Sequence, residues 1–356
     1  MGADRVDVPV GDAGRCPPTL PDGGAPPPPP GVSRSCGPGG APAWHCNEVA
    51  YCGGQFTMGS TDAAEVHGTG RGATYRMREC DPRVRIVRGG YIDAYEVTVA
   101  RYRTWIRSGM PMPRSGEYTY PLDGWSNPGV DWLPPGYVNS GDGDTVPGSP
   151  ATVQNCTWSP ADGVNDDLPI NCVDWLHAAS FCQWDGRHMV SEEAWEYLAS
   201  NYGTTARIRP EDLTAASSCD LGDLNSRNGI CPQRTLPRPV QSFPLSGPPS
   251  VPGLFGMIGG VVEIAAGPFS PMDGICSING DLRECCRRRY PNTDHHTPRE
   301  GGSLRGTSWW MDREDQQYLN HVSSRNHGSR TPPLDRRPPR SPNVGIRCAR
   351  WVQGVW

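Results

Sequence analysis

The sequence predicts an α+β, loop-rich fold of short helices and short strands, and three observations carry that prediction. Gly and Pro number 44 and 39 in 356 residues, a density that suits turns and irregular segments and argues against a helical bundle. Residues 168–199 hold two complete helix signatures separated by one short link. Apolar and polar residues alternate over residues 83–86 and 344–348, the period of a half-buried strand. The length suffices for a sizeable core, as one large domain or two ordinary ones.

In chain order, residues 1–45 are dominated by Pro and Gly runs that cannot bury apolar surface and favour polyproline or coil. They read as an N-terminal tether, in which Cys16 and Cys36 either close a small loop or attach it to the body. Residues 46–356 form the domain proper. Val84 and Ile86 alternate with Arg83 and Arg85 as a strand. Thr98 caps a helix over residues 99–107, with Val99, Tyr102 and Ile106 inward and Gly109 just past its end. Residues 110–167, rich in Pro, Gly and Trp, lack either period and read as a long loop insertion. Its Asn139 to Asp144 run lacks the spaced ligands and closing Glu of a calcium hand and reads as a solvated turn.

Asp174 stands where the cap of the next helix belongs, and Trp175, Ala178, Ala179 and Cys182 fall on one face before Gly186 stops it. Ser191 caps the following helix, Glu192 and Glu193 face the positive end of its dipole, and Trp195, Leu198, Ala199 and Tyr202 form its apolar face. Ala194 occupies the position of a capping-box Glu, so the box is incomplete.

Composition narrows the chemistry. All 33 basic residues are Arg against 38 acidic ones, so lysine-based Schiff-base or amine catalysis is excluded. Neither the net charge of −5 nor any motif supports nucleic-acid binding, and Arg287 to Arg289 and Arg336–Arg337 read as solvated or paired charge. Fourteen Cys, none at C-x-x-C spacing, argue against zinc-ribbon and thioredoxin chemistry and for disulfides in an oxidising compartment. Cys172 and Cys182 cannot pair with each other if they flank one helix, because about 15 Å of helix separates them. No apolar run is long enough to cross a membrane. The first ten residues lack the pattern of an export signal. The cysteines nevertheless predict an extracellular, periplasmic or cell-surface protein whose signal lies outside this numbering.

Several motifs in order point to one family. Residues 169–175 (PINCVDW), 181–184 (FCQW), 186–187 (GR) and 191–197 (SEEAWEY) are followed in the chain by 253–264 (GLFGMIGGVVEI), 300–306 (EGGSLRG) and 343–350 (NVGIRCAR). Residues 51–60 (YCGGQFTMGS) and 91–98 (YIDAYEVT) precede them. This series resembles the formylglycine-generating enzyme, or sulfatase-modifying factor, family from about Cys46 to Trp351. The resemblance implies a C-type-lectin-like fold with short helices on small antiparallel sheets.

It also implies a copper-binding cysteine pair after the Gly-Gly-Ser strand, soft thiolates for a soft metal. Those positions are Gly306 and Met311 here, so copper is not expected and formylglycine formation is disfavoured. The adjacent Cys285–Cys286 lies before that strand and reads as disulfide-forming. A structural calcium site implied by the resemblance maps onto Asn225 and Glu263, although the family's Asp and Asn are Gly256 and Gly260 here. The histidines of a noncysteine metal site would be His295, His296, His321 and His327.

In place of the catalytic loop, residues 305–330 carry Arg305, Trp309, Trp310, Asp312, Arg313, Tyr318, His321 and Arg325. These types anchor interfaces and stack on sugars, while core packing explains the two Trp equally well. The reading is an exported, non-catalytic recognition or structural module with a protein, peptide or glycan ligand at this loop groove. The alternative is a metal-dependent oxidoreductase of the same superfamily with a noncysteine metal site.

Overall fold

The structure, a computed structural model, describes residues 34–36, 44–59, 77–78, 83–109, 155–173, 175–205, 208, 216–224, 231–266, 303–309, 324–325 and 342–351. Among the described residues, three short α-helices pack on small sheets. Strand β1 (Glu48–Tyr51), β5 (Gly90–Asp93), β11 (Cys348–Trp351) and β6 (His188–Met189) form a four-stranded sheet in the order β1-β5-β11-β6. Every pairing in it is antiparallel, with Val49 and Ala349 both opposite Ile92. All four β5 residues are buried, as suits a central strand, and β11 brings the end of the domain against its beginning.

A second sheet runs β10 (Val344–Gly345), β7 (Val262–Ala265), β8 (Ser303–Arg305). Its β10–β7 pair is parallel, an exception to the antiparallel pattern, and Glu263 stands opposite Arg305 across β7–β8. Strands β2 (Gly54–Met58) and β4 (Arg83–Val87) form an antiparallel pair. Phe56 and Met58 turn into the core, whereas Val84 and Ile86 stand opposite Thr57 and Gln55 and remain exposed. The strand expected from Val84 and Ile86 therefore exists, with those residues on its outer face. Strands β3 (Met77–Arg78) and β9 (Ser324–Arg325) complete the set as a two-residue pair.

Helix α1 spans Val99–Arg107, and the Thr98 side chain accepts from the Arg101 backbone N–H at its N-terminus. Val99, Tyr102 and Trp105 are buried and Ile106 is half-buried. Helix α2 is Trp175–Trp184 and ends before Gly186 at φ +78°, a left-handed turn that glycine adopts without strain. Its expected cap, Asp174, lies outside the described residues. Helix α3, Glu192–Ala199, begins at Ser191, whose Oγ accepts from the Ala194 N–H at 3.1 Å. Trp195, Leu198 and Ala199 join Tyr51, Phe56 and Met257 in one core cluster, and Tyr102, Trp105, Phe181 and Ile346 form another around α1 and α2.

Four disulfides have both partners described: Cys36–Cys46, Cys156–Cys172, Cys182–Cys348 and Cys219–Cys231. Cys172 and Cys182 pair with different partners, as the helix length between them requires. Of the expected tether, Ser35 is docked on the body, donating its backbone N–H to Asp185 and accepting at Oγ from Arg101. The end of the expected insertion, residues 155–167, runs along α1. Arg103 holds it through Ser159 O at 2.9 Å, Val164 O at 3.0 Å and Asp166 at 2.5 Å. Residues 110–154 lie outside the described residues.

Candidate functional site

The segment that follows β8 is where the expected cysteine pair would begin. Gly306 is buried at φ +90°, and a Cβ there would lie 3.3 Å from the Trp195 ring, 3.4 Å from Met257 O and 3.6 Å from Glu263 Oε2. The backbone therefore takes a conformation that favours glycine, against a wall of tryptophan and carboxylate. Next along, Thr307 Oγ1 accepts from the Gly259 N–H at 2.7 Å. Trp309 donates its backbone N–H to Gly260 O at 3.0 Å and its indole N–H to Pro342 O at 3.1 Å. These bonds fix the turn to the loop leading into β7.

Beneath the turn lies a chain of buried charges. Glu263 on β7 accepts from the Trp195 indole at 2.6 Å through Oε2 and from Arg347 Nε at 2.7 Å through Oε1. Arg347 also donates to Asp93 O at 2.8 Å and Phe255 O at 2.6 Å. Arg305 reaches Glu196 at 3.1 Å, with Glu192 at 3.7 Å, and Glu196 accepts the Gly59 N–H at 2.6 Å. These bonds tie β8, α3 and the end of β2 together. Burial pushes Glu96 up to about 8 against the pull of Arg347, with Glu263 adding repulsion. Burial likewise raises Glu263, and Arg347 opposes it.

A second buried network joins sheet to helices. Asp93 lies between Arg101, at 3.1 Å, and Arg187, and accepts the Cys348 N–H at 3.1 Å. Asp185 bonds Arg101 at 3.0 Å and stands 3.5 Å from Arg187. Burial disfavours the Asp93 charge, yet Arg101 and Arg187 outweigh it and hold this carboxyl below the ordinary range. Glu48 stands 3.3 Å from Arg187 and bonds Arg350 at 2.7 Å. Arginine suits such interior positions because one planar group serves several acceptors at once.

The expected site residues divide accordingly. Arg305 and Trp309 are both fully buried, so the structure places them in the interior and not on an open ligand groove. Their charge and indole are satisfied from within, by Glu196 and Pro342. Arg325 belongs to β9, where it pairs with Met77. Trp310, Asp312, Arg313, Tyr318, His321, Asn225 and Met311 lie outside the described residues, as do Cys285, Cys286, His295, His296 and His327. Glu263 is fully buried with both oxygens engaged. The described residues around it do not fit a calcium cage, because the neighbouring cation is the Arg347 guanidinium.

Every described cysteine is disulfide-bonded, so none offers a thiolate to a soft metal. His45 lies beside Cys36 and Cys46, whose sulfurs are bonded to each other. Among the described residues the assembled chemistry is that of a buried ionic scaffold. Sequence reasoning missed Asp93, Glu96, Arg101, Asp185, Arg187 and Arg347. One signal was present: Arg347 sits between the apolar Ile346 and Cys348, a charge in the short buried link between strands β10 and β11.

The chain is similar to several known proteins. A family model for the Sulfatase-modifying factor enzyme 1-like domain matches residues 43–352. A formylglycine-generating enzyme from Streptomyces coelicolor is 25% identical over 90% of this chain and 95% of its own length. An inactive C-alpha-formylglycine-generating enzyme 2 from Mus musculus is 26% identical, with 83% of each chain covered. Among solved structures, PvdO from Pseudomonas aeruginosa is similar at a TM-score of 0.47 and 17% identity, covering 91% of this chain and 99% of its own.

Proposed function

The chain belongs to the sulfatase-modifying factor enzyme 1-like family, and from that premise we propose that it is an exported, non-catalytic member acting as a recognition or structural module. The observation that carries this reading is Gly306. The position expected to bear the first copper ligand has no side chain, holds φ +90° and packs against Trp195. The family resemblance implies a pair of thiolates holding copper, soft ligands for a soft metal, and the second of those positions is Met311. A mouse relative described as inactive supports the view that members of this family persist without the activity. The disulfides support a location outside the cytosol.

Recognition would then fall to the polar and aromatic residues of the segment after Trp309, namely Trp310, Asp312, Arg313, Tyr318 and His321. Their types suit a protein, peptide or glycan ligand. A peptide and glycan array probed with the full chain tests this. A hit lost in Trp310→Ala and Tyr318→Ala supports the loop as the recognition surface. A hit unchanged in both variants places recognition elsewhere, and no hit on either array counts against the recognition half of the reading.

A further inference from the structure

We infer that the segment 254–263, the loop into β7 and the strand's first two residues, which the family resemblance marks for calcium, is held instead by the guanidinium of Arg347, so that no metal ion binds at Glu263. Four oxygen-bearing groups surround this one cation. Nε and Nη2 both lie 2.7 Å from Glu263 Oε1, and Nη1 donates to Asp93 O at 2.8 Å. Nη2 also donates to Phe255 O at 2.6 Å and lies 4.0 Å from Glu96 Oε2. Carboxyl and carbonyl oxygens are the ligand types a hard divalent cation takes. Here they are arranged around a fixed planar group, and Arg347 is itself fully buried.

Two further features close the site to a metal. Calcium takes about six to eight oxygens at roughly 2.3–2.6 Å, and an ion at that distance from Glu263 would be repelled by a guanidinium already bonded to the same carboxylate. The side-chain ligands that positions 256 and 260 could supply are also missing. Both are glycines with positive φ, +75° and +61°, and a Cβ at either would overlap the Glu96 carboxylate. Glu96 thus fills the space a ligand from this loop would use, and its Oε1 accepts the Val261 N–H at 3.3 Å. The loop is anchored at Phe255, Val261 and Glu263, all by protein groups.

The test uses the full oxidised chain, stripped with EDTA and dialysed against calcium. Thermal midpoints are compared in calcium and in EDTA for the unsubstituted chain and Glu263→Gln, alongside elemental analysis of both. The expected result is that Glu263→Gln removes no bound calcium and alters any calcium-induced shift by less than about 1 °C. Bound calcium, or a calcium-induced rise in midpoint, that disappears in Glu263→Gln overturns the inference. Should that variant not fold, crystals of the unsubstituted chain soaked in terbium decide it. No anomalous peak beside Glu263 supports Arg347 as the resident cation, and a peak there refutes it.

Discussion

Replacing Asp93 by Asn removes one negative charge from between two buried guanidinium groups while leaving side-chain size nearly unchanged. Asp93 bonds Arg101, Arg187 and the Cys348 N–H, and the side chains of Asp93, Arg101 and Arg187 are all 0% exposed. Breaking a buried pair by removing one partner costs about 3–5 kcal/mol, because the remaining charge is neither solvated nor matched. Asp185 still serves both arginines, which places the expected loss toward 3 kcal/mol. The assay is equilibrium urea unfolding of the oxidised chain near neutral pH, followed by circular dichroism and tryptophan fluorescence. The midpoint falls with the slope unchanged, and Asp162→Asn, at an exposed partner of Arg107, leaves it in place. The folded-state pKa of Asp93 is depressed, so its contribution is present above the unfolded carboxylate value and lost as pH falls through the depressed one. A loss below about 1 kcal/mol, the scale of a surface ion pair, would refute the assignment of Asp93 as the centre of this network.

Three further outcomes follow from the same contacts. Glu96 is raised from 4.5 to about 8, so the folded chain keeps a proton that the unfolded chain releases. Its stabilising effect is full below about 4.5 and is lost as pH rises toward 8. Glu96→Gln therefore flattens the decline of the urea midpoint across that window, and an unchanged slope contradicts it. Gly306→Ala forces a side chain onto φ +90° beside Trp195 and costs about 1–3 kcal/mol; an unmoved midpoint would show that the backbone here is not constrained. Converting both Cys182 and Cys348 to Ser opens a link between residues 166 apart in sequence, worth about 5 kcal/mol on chain entropy. Unfolding of that double variant at lower urea checks this, and equal stability refutes it.

The helices were legible because their signals are local. Thr98, Ser191 and Gly186 act within one turn of the elements they bound, and α1 begins and ends where its cap and Gly109 place it. Strand β4 was legible as a strand but not in its facing, since Val84 and Ile86 are apolar yet face outward. Only the pairing to β2, whose Phe56 and Met58 fill the core side, decides that. Disulfide partners were hidden for the same reason: Cys182 meets Cys348 because α2 packs on β6, which pairs with β11 at Cys348, a contact no spacing rule contains. The buried charges were the largest omission. Asp93, Arg101, Asp185 and Arg187 look like surface residues one at a time, and burial becomes affordable only when β5, α1 and the turn after α2 converge. Trp309 could serve equally as ligand anchor or as core, and its bond to Pro342 O puts it in the core.

A non-catalytic member, as proposed above, keeps the family scaffold without copper oxidase chemistry. The most direct measurement loads the purified, oxidised full chain with copper(I), determines bound metal per chain, and follows oxygen uptake with a cysteine-containing peptide. No stoichiometric copper and no oxygen consumption above the peptide alone are expected. One copper per chain, with oxygen consumed and the peptide cysteine converted to an aldehyde, would contradict it.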